Sequence, residues 1–378
     1  MKFIHLSDLH IGKRVNEFSM LEDQEYILKK ILTIVNEEEP DGVIIAGDVY
    51  DKSVPSGEAV ALFDEFLVAL ARRDLQVFLI SGNHDSPERI AFGGRIMSAG
   101  GVHLSPVYQG AVEPITMEDR HGEVRVYLLP FIKPAHVRAQ FPEAEIESYA
   151  DGVRKAIEEM HIDGAYRNVL VTHQFVAGSE RSDSEEVSVG GTDNIPPSVF
   201  AEFDYVALGH IHKPQSIGRE TLRYCGTPLK YSFSEAGHKK SVTVVELGEK
   251  GVVDLRTVAL EPKRDLVMHK GKYKELVERD YYKHLNREDY YQITLTDEED
   301  VPDALNKLRV IYPNIMRLAY DNQRTQREQV VGGDTQVEHK TPFQLVREFY
   351  ALQNNRPMSV EQEALLRQVM EEIWEVVE

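Results

Sequence analysis

The sequence predicts an α/β protein: a four-layer α-β-β-α sandwich core, a small α+β unit and a C-terminal helical pair. Three observations point there. Over roughly the first 210 residues short apolar strands alternate with amphipathic helical stretches, the pattern of a largely parallel sheet with helices on its faces. Beyond them the strands follow one another closely, which calls for a second sheet stacked on the first. Five strand ends run straight into Asp, Asn or His, where sheets of this kind place their ligand sites. The 378 residues are enough for two or three domains and a sizeable core.

In chain order, Phe3–Ser7 is the first expected strand and Leu21–Val35 the helix after it. Gly42–Ala46 leads to a helix from Ala59 through Leu70, with Leu62, Phe63, Phe66, Leu67 and Leu70 on one face. The strand Gln76–Ile80 is followed by a shorter helical stretch near Arg89–Met97. Val124–Leu129, Val169–Thr172 and Tyr205–Leu208 read as further strands. Gly178 to Asn194, rich in Ser, Gly, Asp and Glu, reads as a mobile loop beside the site. Arg223–Cys225, Ser241–Leu247 and Val252–Ala259 are expected to form an antiparallel meander.

Near Glu261-Pro262-Lys263-Arg264 the texture changes. Tyr273–Val277 and Asp303–Val310 read as helices, Tyr290–Leu295 and Ile315–Ala319 as strands, and Gln323–Lys340 as a polar linker. The expected division is a body over 1–262, a capping segment with linker over 263–340, and a helical segment over 341–378. In that tail Thr341-Pro342-Phe343-Gln344 and Ser359-Val360-Glu361-Gln362 fit capping boxes. They open two amphipathic stripes, Phe343/Val346/Phe349/Tyr350 and Leu365/Val369/Ile373/Val377, separated by a turn that Pro357 keeps from being helical.

Composition narrows the class. Hydrophobic residues make up 42% and charged residues 28%, as in a globular protein, and no apolar run reaches the roughly 18 residues of a spanning helix. The N-terminus reads directly into a strand rather than a signal peptide, and the single Cys225 fits a reducing cytoplasm with no membrane association. The net charge of −20 weighs against nucleic acid as a partner, but residues 263–340 are nearly neutral. Bound divalent ions would in any case dominate the local field at an acidic site.

The chemistry lies in Asp8-Leu9-His10, Gly47-Asp48-Val49-Tyr50-Asp51, Gly82-Asn83-His84-Asp85, Thr172-His173 and Gly209-His210-Ile211-His212. Carboxylate, amide and imidazole without thiolate suit manganese, magnesium or iron rather than structural zinc. The alternate spacing of Asp8/His10 and of His210/His212 lets each pair chelate one ion or split between two. Seven such ligands are too many for one ion, whereas two ions sharing a carboxylate use them all, and a two-ion centre is standard apparatus for phosphoester hydrolysis. Singly, each residue is more often a turn former or a satisfied core group; five strand ends of this kind in one chain are not.

In this order the motifs resemble the metallophosphoesterases of the calcineurin-like superfamily. The fuller strings from Phe3 to Gly12, Gly47 to Asp51 and Ala207 to His212 are more narrowly similar to the SbcD family of nuclease subunits. The resemblance implies that Asp8, His10 and His212 hold one ion, that Asn83, His173 and His210 hold the other, and that Asp48 bridges them. It implies that His84 stays unligated as proton donor, with Asp85 orienting its second ring nitrogen. Some archaeal relatives carry a histidine where this chain has Asp51, which leaves that residue's role open. Two Mn²⁺ ions are implied, with Mg²⁺ the alternative, and so is 3′ to 5′ exonuclease and single-strand endonuclease action on DNA ends, hairpins and single strands. The implied partner is an SbcC-type coiled-coil ATPase gripped by the tail, in a heterotetramer containing a homodimer of this chain. A phosphatase or phosphodiesterase of small-molecule or protein phosphoesters is the alternative activity.

Overall fold

The computed structural model describes residues 1–185, 194–322, 342–354 and 356–375, which fall into two compact units, Met1–Leu266 and Val267–Glu378. The expected linker 323–340, the Thr341 cap and part of the expected loop 178–194 lie outside the described residues.

The first unit is built on two six-stranded sheets. In the first sheet Lys2–Leu6, Gly42–Ala46, Gln76–Ile80 and Val102–Leu104 run parallel. Ser241–Leu247 and then Val253–Ala259 add antiparallel beyond Lys2–Leu6. In the second sheet Gly122–Leu129, Arg167–His173, Tyr205–Gly209 and Arg219–Tyr224 are parallel, with Ile115–Asp119 and Gln215–Ile217 antiparallel at the two edges.

Residue alternation explains the stacking. Phe3, Ile44, Ala46, Phe78 and Ile80 of the first sheet meet Val124, Val126, Leu128, Val169, Val171 and Ala207 of the second in one apolar layer. The intervening residues face outward and are covered by helices. Leu21–Glu38 buries Ile27, Leu28 and Ile31, and Gly57–Ala71 buries Phe63, Phe66 and Leu70. Ser56 caps the latter helix, its hydroxyl accepting from the Ala59 amide at 3.2 Å. Tyr149–Glu158, opened by a Ser148–Asp151 capping box, lays Val153, Ala156 and Ile157 on Leu129, Leu170 and Leu208 of the second sheet.

The expected meander is corrected: its first strand belongs to the second sheet and its other two to the first. The reason is burial. Ser241–Leu247 is buried along nearly its whole length and needs neighbours on both sides, which Lys2–Leu6 and Val253–Ala259 supply. The expected helix near Arg89–Met97 is likewise two short ones, Pro87–Ile90 and Gly94–Met97, divided at Gly93 with φ of 74°.

The second unit has a three-stranded sheet of Leu266–Gly271, Tyr290–Leu295 and Ile315–Tyr320, whose core is Leu276, Tyr291, Ile293, Leu295, Leu308 and Tyr312. Its helices Pro342–Asn354 and Val360–Glu375 touch through Gln362 to the Tyr350 hydroxyl at 2.9 Å and through Arg367, 4.2 Å over the Phe343 ring. Ser359 and Gln362 form a reciprocal cap, at 3.3 and 2.9 Å.

Candidate metal centre

The carboxyl ends of the inner strands of both sheets open at one place. Asp8, His10, Asp48, Asn83 and His84 leave the first sheet there, and His173, His210 and His212 leave the second. Three glycines let the strand ends approach. A Cβ on Gly82 would lie 2.1 Å from Asp48 Oδ1, and one on Gly209 would lie 1.9 Å from the Ala46 carbonyl and 2.6 Å from His173 Nδ1. Gly47 turns at φ of 86° with the His173 ring against it. Four of the polar residues hold positive φ without being glycine: Asp8 at 53°, His10 at 46°, Asp48 at 50° and His210 at 102°. Such backbone is costly and persists where the surroundings hold it. Here Asp8 N–H donates to the Gly47 carbonyl at 3.0 Å and His10 N–H to the Asp48 carbonyl at 2.9 Å.

The side chains converge in three overlapping groups. Asp8, His10 and His212 offer one ligand atom each within 4.8 Å of one another, as do Asp8, Asp48 and His173, and as do His10, Asp48 and the rim residue His84. His10 Nε2 faces His212 Nε2 at 3.2 Å. Asn83 Oδ1 lies 3.1 Å from His173 Nε2 and 2.9 Å from His210 Nδ1. Asp48 lies between the groups, its Oδ2 at 3.3 Å from His173 Nε2 and 3.7 Å from His10 Nε2. Ligands about 2.1 Å from an octahedral cation are roughly 3–4 Å apart, so these separations fit divalent ions. The donor set of imidazole, carboxylate and amide oxygen, all deeply buried except the half-buried Asn83 and His210, fits hard or borderline metals.

Electrostatics match that geometry. Burial pushes the Asp8 carboxyl up to about 6, with Asp48 beside it adding to the rise. Burial also raises Asp48, but the imidazoles of His173, His10 and His84 outweigh it and hold this carboxylate below the usual range. Burial lowers His173, yet Asp48 and Asp8 win and raise it to about 9. Desolvation at the site takes His210, which has fewer compensating partners, down to about 3, and it is also the main reason His10 falls well below its ordinary value.

His84 stands at the rim, its Nε2 3.9 Å from Asp48 Oδ2 and its backbone N–H donating to Asp48 Oδ1 at 2.9 Å. One expectation is overturned here. Asp85 does not orient His84: its carboxylate turns back and accepts from the N–H groups of Gly82, Val49 and Tyr50 at 2.9, 3.1 and 3.0 Å. Accepting from amides of both turns, it pins the Asn83 turn to the Asp48 turn. Burial, then Asp48, nevertheless pushes it up to about 6. The group on the second nitrogen of His84 is the backbone carbonyl of Asp51, at 3.0 Å from Nδ1. The Asp51 carboxylate accepts instead from Lys13 at 2.7 Å, which brings Lys13 to the rim of the site.

Further groups carry no motif. Tyr231 donates to the Leu9 carbonyl at 2.6 Å and its ring lies 5.7 Å from that of His10. Phe131 stacks on His210 at 6.4 Å. Ser184, Glu185, Glu235 and Lys240 surround the outer side of His212. Only a buried Glu–Lys pair five residues apart could have flagged the last two, and that spacing belongs to no regular face.

Comparison with known proteins shows the family to which the chain belongs. Residues 1–214 match the model of the calcineurin-like phosphoesterases, and residues 262–354 match that of the type 5 capsule protein repressor C-terminal domain. The chain is 33% identical over 323 residues to the SbcD subunit of the SbcCD nuclease of Staphylococcus epidermidis, covering 84% of this chain and 85% of that one. A dimetal phosphatase from Danio rerio superposes with a TM-score of 0.40 at 12% identity, over 69% of this chain and 99% of that one. The chain is therefore a member of the calcineurin-like phosphoesterase family, in its SbcD branch, and an enzyme that hydrolyses phosphoesters with divalent ions.

Proposed function

We propose that this chain is the nuclease subunit of an SbcCD-type complex that processes DNA double-strand breaks in the cytoplasm. Its activity is manganese-dependent hydrolysis of phosphodiester bonds, as a 3′ to 5′ exonuclease and a single-strand endonuclease, on ends, hairpins and single strands. The carrying observation is the convergence of eight side chains from both sheets at one opening, in a chain similar to an SbcD subunit over most of its length.

Asp8, His10 and His212 would hold one ion, Asn83, His173 and His210 the other, and Asp48 would serve both. Such ions supply charge for the phosphoryl oxygens and acidify a bound water. The protein's own contribution is placement and proton transfer. Because the Asp51 carbonyl accepts from His84 Nδ1–H, the imidazolium form of His84 would deliver its Nε2 proton to the leaving sugar oxygen and be left as the neutral, Nδ1-protonated ring. Asp85 keeps the two turns at fixed separation, so that His84 and Asp48 act on the same phosphate.

The C-terminal helical pair supports the partner reading. Phe349 and Leu365 are each 62% exposed, so the stripes are not consumed by packing on one another. They suit the coiled-coil base of an SbcC-type ATPase, in an assembly built on a homodimer of this chain. Residues 263–340 would provide DNA contacts.

The deciding assay compares a single-stranded oligonucleotide with a chromogenic phosphomonoester, each with Mn²⁺ and with a chelator. Oligonucleotide cleavage that needs Mn²⁺ and vanishes in Asp48→Ala is expected. Turnover of the monoester with the oligonucleotide left intact would overturn the nuclease reading in favour of a small-substrate phosphatase.

A further inference from the structure

Behind His212, on the side away from the other ligands, lies a buried polar network that none of the metal motifs contains. Its anchor is Lys240, 6% exposed, whose ammonium has three donors and uses all of them. They go to Glu235 Oε2 at 2.5 Å, Thr227 Oγ1 at 2.6 Å and the backbone carbonyl of His212 at 2.9 Å. Glu235 is fully buried beside it, so the pair forms a closed ion pair in the interior. The other carboxylate oxygen, Oε1, accepts from the Ser184 hydroxyl at 2.6 Å and lies 3.2 Å from His212 Nδ1. Ser184 Oγ is itself 2.8 Å from His212 Nδ1.

The direction of these hydrogen bonds follows from the charged end. A carboxylate paired with an ammonium only accepts. Ser182 Oγ, 2.8 Å from Ser184 Oγ, competes for the Ser184 proton, but a charged acceptor makes the stronger bond. With its proton committed to Glu235, Ser184 has only lone pairs left for His212. Nδ1 of His212 must then be the donor, whether to Ser184 or to Glu235 directly. Its Nε2 is left without a proton, and that is the nitrogen 3.2 Å from His10 Nε2.

We propose that Glu235, charged by Lys240 and acting partly through Ser184, is a positioning residue that fixes the Nδ1-protonated tautomer of His212 and aims the Nε2 lone pair at the metal centre. The inference rests on the assignment of His212 as a metal ligand. A carboxylate behind a ligating imidazole ordinarily governs ring orientation and basicity, and its loss costs roughly 10–100-fold in metal affinity. The network also ties three distant segments together. Glu185 Oε1 accepts from the His212 backbone N–H at 2.7 Å, and the Asp183 N–H donates to Ser234 Oγ at 3.1 Å. Residues 182–185 and 232–235 thereby meet each other behind the Nδ1 side of His212.

The test uses the full chain and two variants. Removing Glu235 alone would strand a buried ammonium, so the first variant is Glu235→Gln with Lys240→Met. The second, Ser184→Ala, leaves the ion pair intact and carries the test where the double variant does not fold. The ring nitrogens of His212 are read by ¹⁵N NMR in the metal-free protein, with His212→Gln for assignment, and Mn²⁺ binding by calorimetry. The wild type is expected to show the Nδ1-protonated form. The double variant should lose that preference and bind one of two ions roughly 10–100-fold more weakly, the other unchanged. Ser184→Ala should show mixed tautomers and a smaller loss at the same ion. An unaltered tautomer in a folded variant, or equal weakening of both ions, would overturn the proposal. Failure of the wild type to bind Mn²⁺ would instead overturn the metal assignment, which the tautomer measurement does not need.

Discussion

At the scale of single residues, the proposed assignment separates groups that would hold charge from one that would move a proton. His84 is held by a backbone carbonyl rather than by a carboxylate, and its backbone N–H bonds Asp48 at 2.9 Å while its ring Nε2 stays 3.9 Å from that carboxylate. His84→Gln should therefore leave the manganese content near that of the wild type while the cleavage rate falls by roughly 10²–10⁴. Parallel loss of metal, measured by elemental analysis, would make it a ligand. His173 leads to a different expectation. Burial lowers it, but Asp48 and Asp8 raise it from 6.5 to about 9, so the metal-free protein keeps a proton that an ion must displace. A raised pKa stabilises the metal-free fold fully below 6.5, and that stability is lost as pH rises through about 9. Manganese affinity should climb over the same window, up to about tenfold per pH unit. Calorimetric titration across it, beside thermal unfolding of the chelator-treated protein, checks both signs, and a flat affinity would sink the argument. What the sequence revealed of these residues was their type and position. What it concealed was direction: Asp85 neighbours His84 in the chain, but the turn sends its carboxylate the opposite way.

At the scale of elements, strand ends were legible because each couples an apolar run to a polar residue, usually through a glycine. Helix limits were legible to within a few residues, since Leu21–Glu38 and Gly57–Ala71 carry clear apolar faces. Sheet membership was not. An alternating strand shows that it has a buried face and says nothing of which sheet will pair with it, so Arg219–Tyr224 and Ser241–Leu247 fall in different sheets despite reading as neighbours. The crowded strand ends yield a prediction of their own. A methyl group at Gly209 would meet the Ala46 carbonyl at 1.9 Å, and backbone cannot step aside as a side chain can. Gly209→Ala should destabilise the body by on the order of 1–3 kcal/mol through overpacking and weaken manganese binding through displacement of His210 and His173. Gly57→Ala, with nothing within 4 Å of the added carbon, is the control and should unfold at or slightly above the wild-type temperature.

At the scale of the whole molecule, catalysis and assembly are expected to separate. The tail helices carry exposed Phe349, Leu365 and Val369 and contain none of the metal-centre residues. Removal of residues 341–378 should abolish co-purification with an SbcC-type ATPase and spare manganese-dependent cleavage of single-stranded DNA. Retained ATPase binding would place the grip elsewhere. The sequence reading divides the chain into three segments at residues 263 and 341, whereas the structure groups it into two compact units, Met1–Leu266 and Val267–Glu378.

The division of donors between the sheets has a consequence for the ancestry and recombination of such chains. Asp8 and His10 depend on His212 across the seam, and Asn83 depends on His173 and His210 across the same seam. Under the proposed assignment neither sheet alone carries all the ligands of either ion, so neither would be inherited as a working fragment. A chimera joining one sheet to the other sheet of a relative would regain function only if the seam kept its register, since a slip of one residue, about 3.3 Å, would misplace both donor groups at once. Natural variation in this chain should accordingly accumulate on the helical faces and edge strands, and crossover points that separate Met1–Gly82 from Arg167–His212 should be rare among viable hybrids.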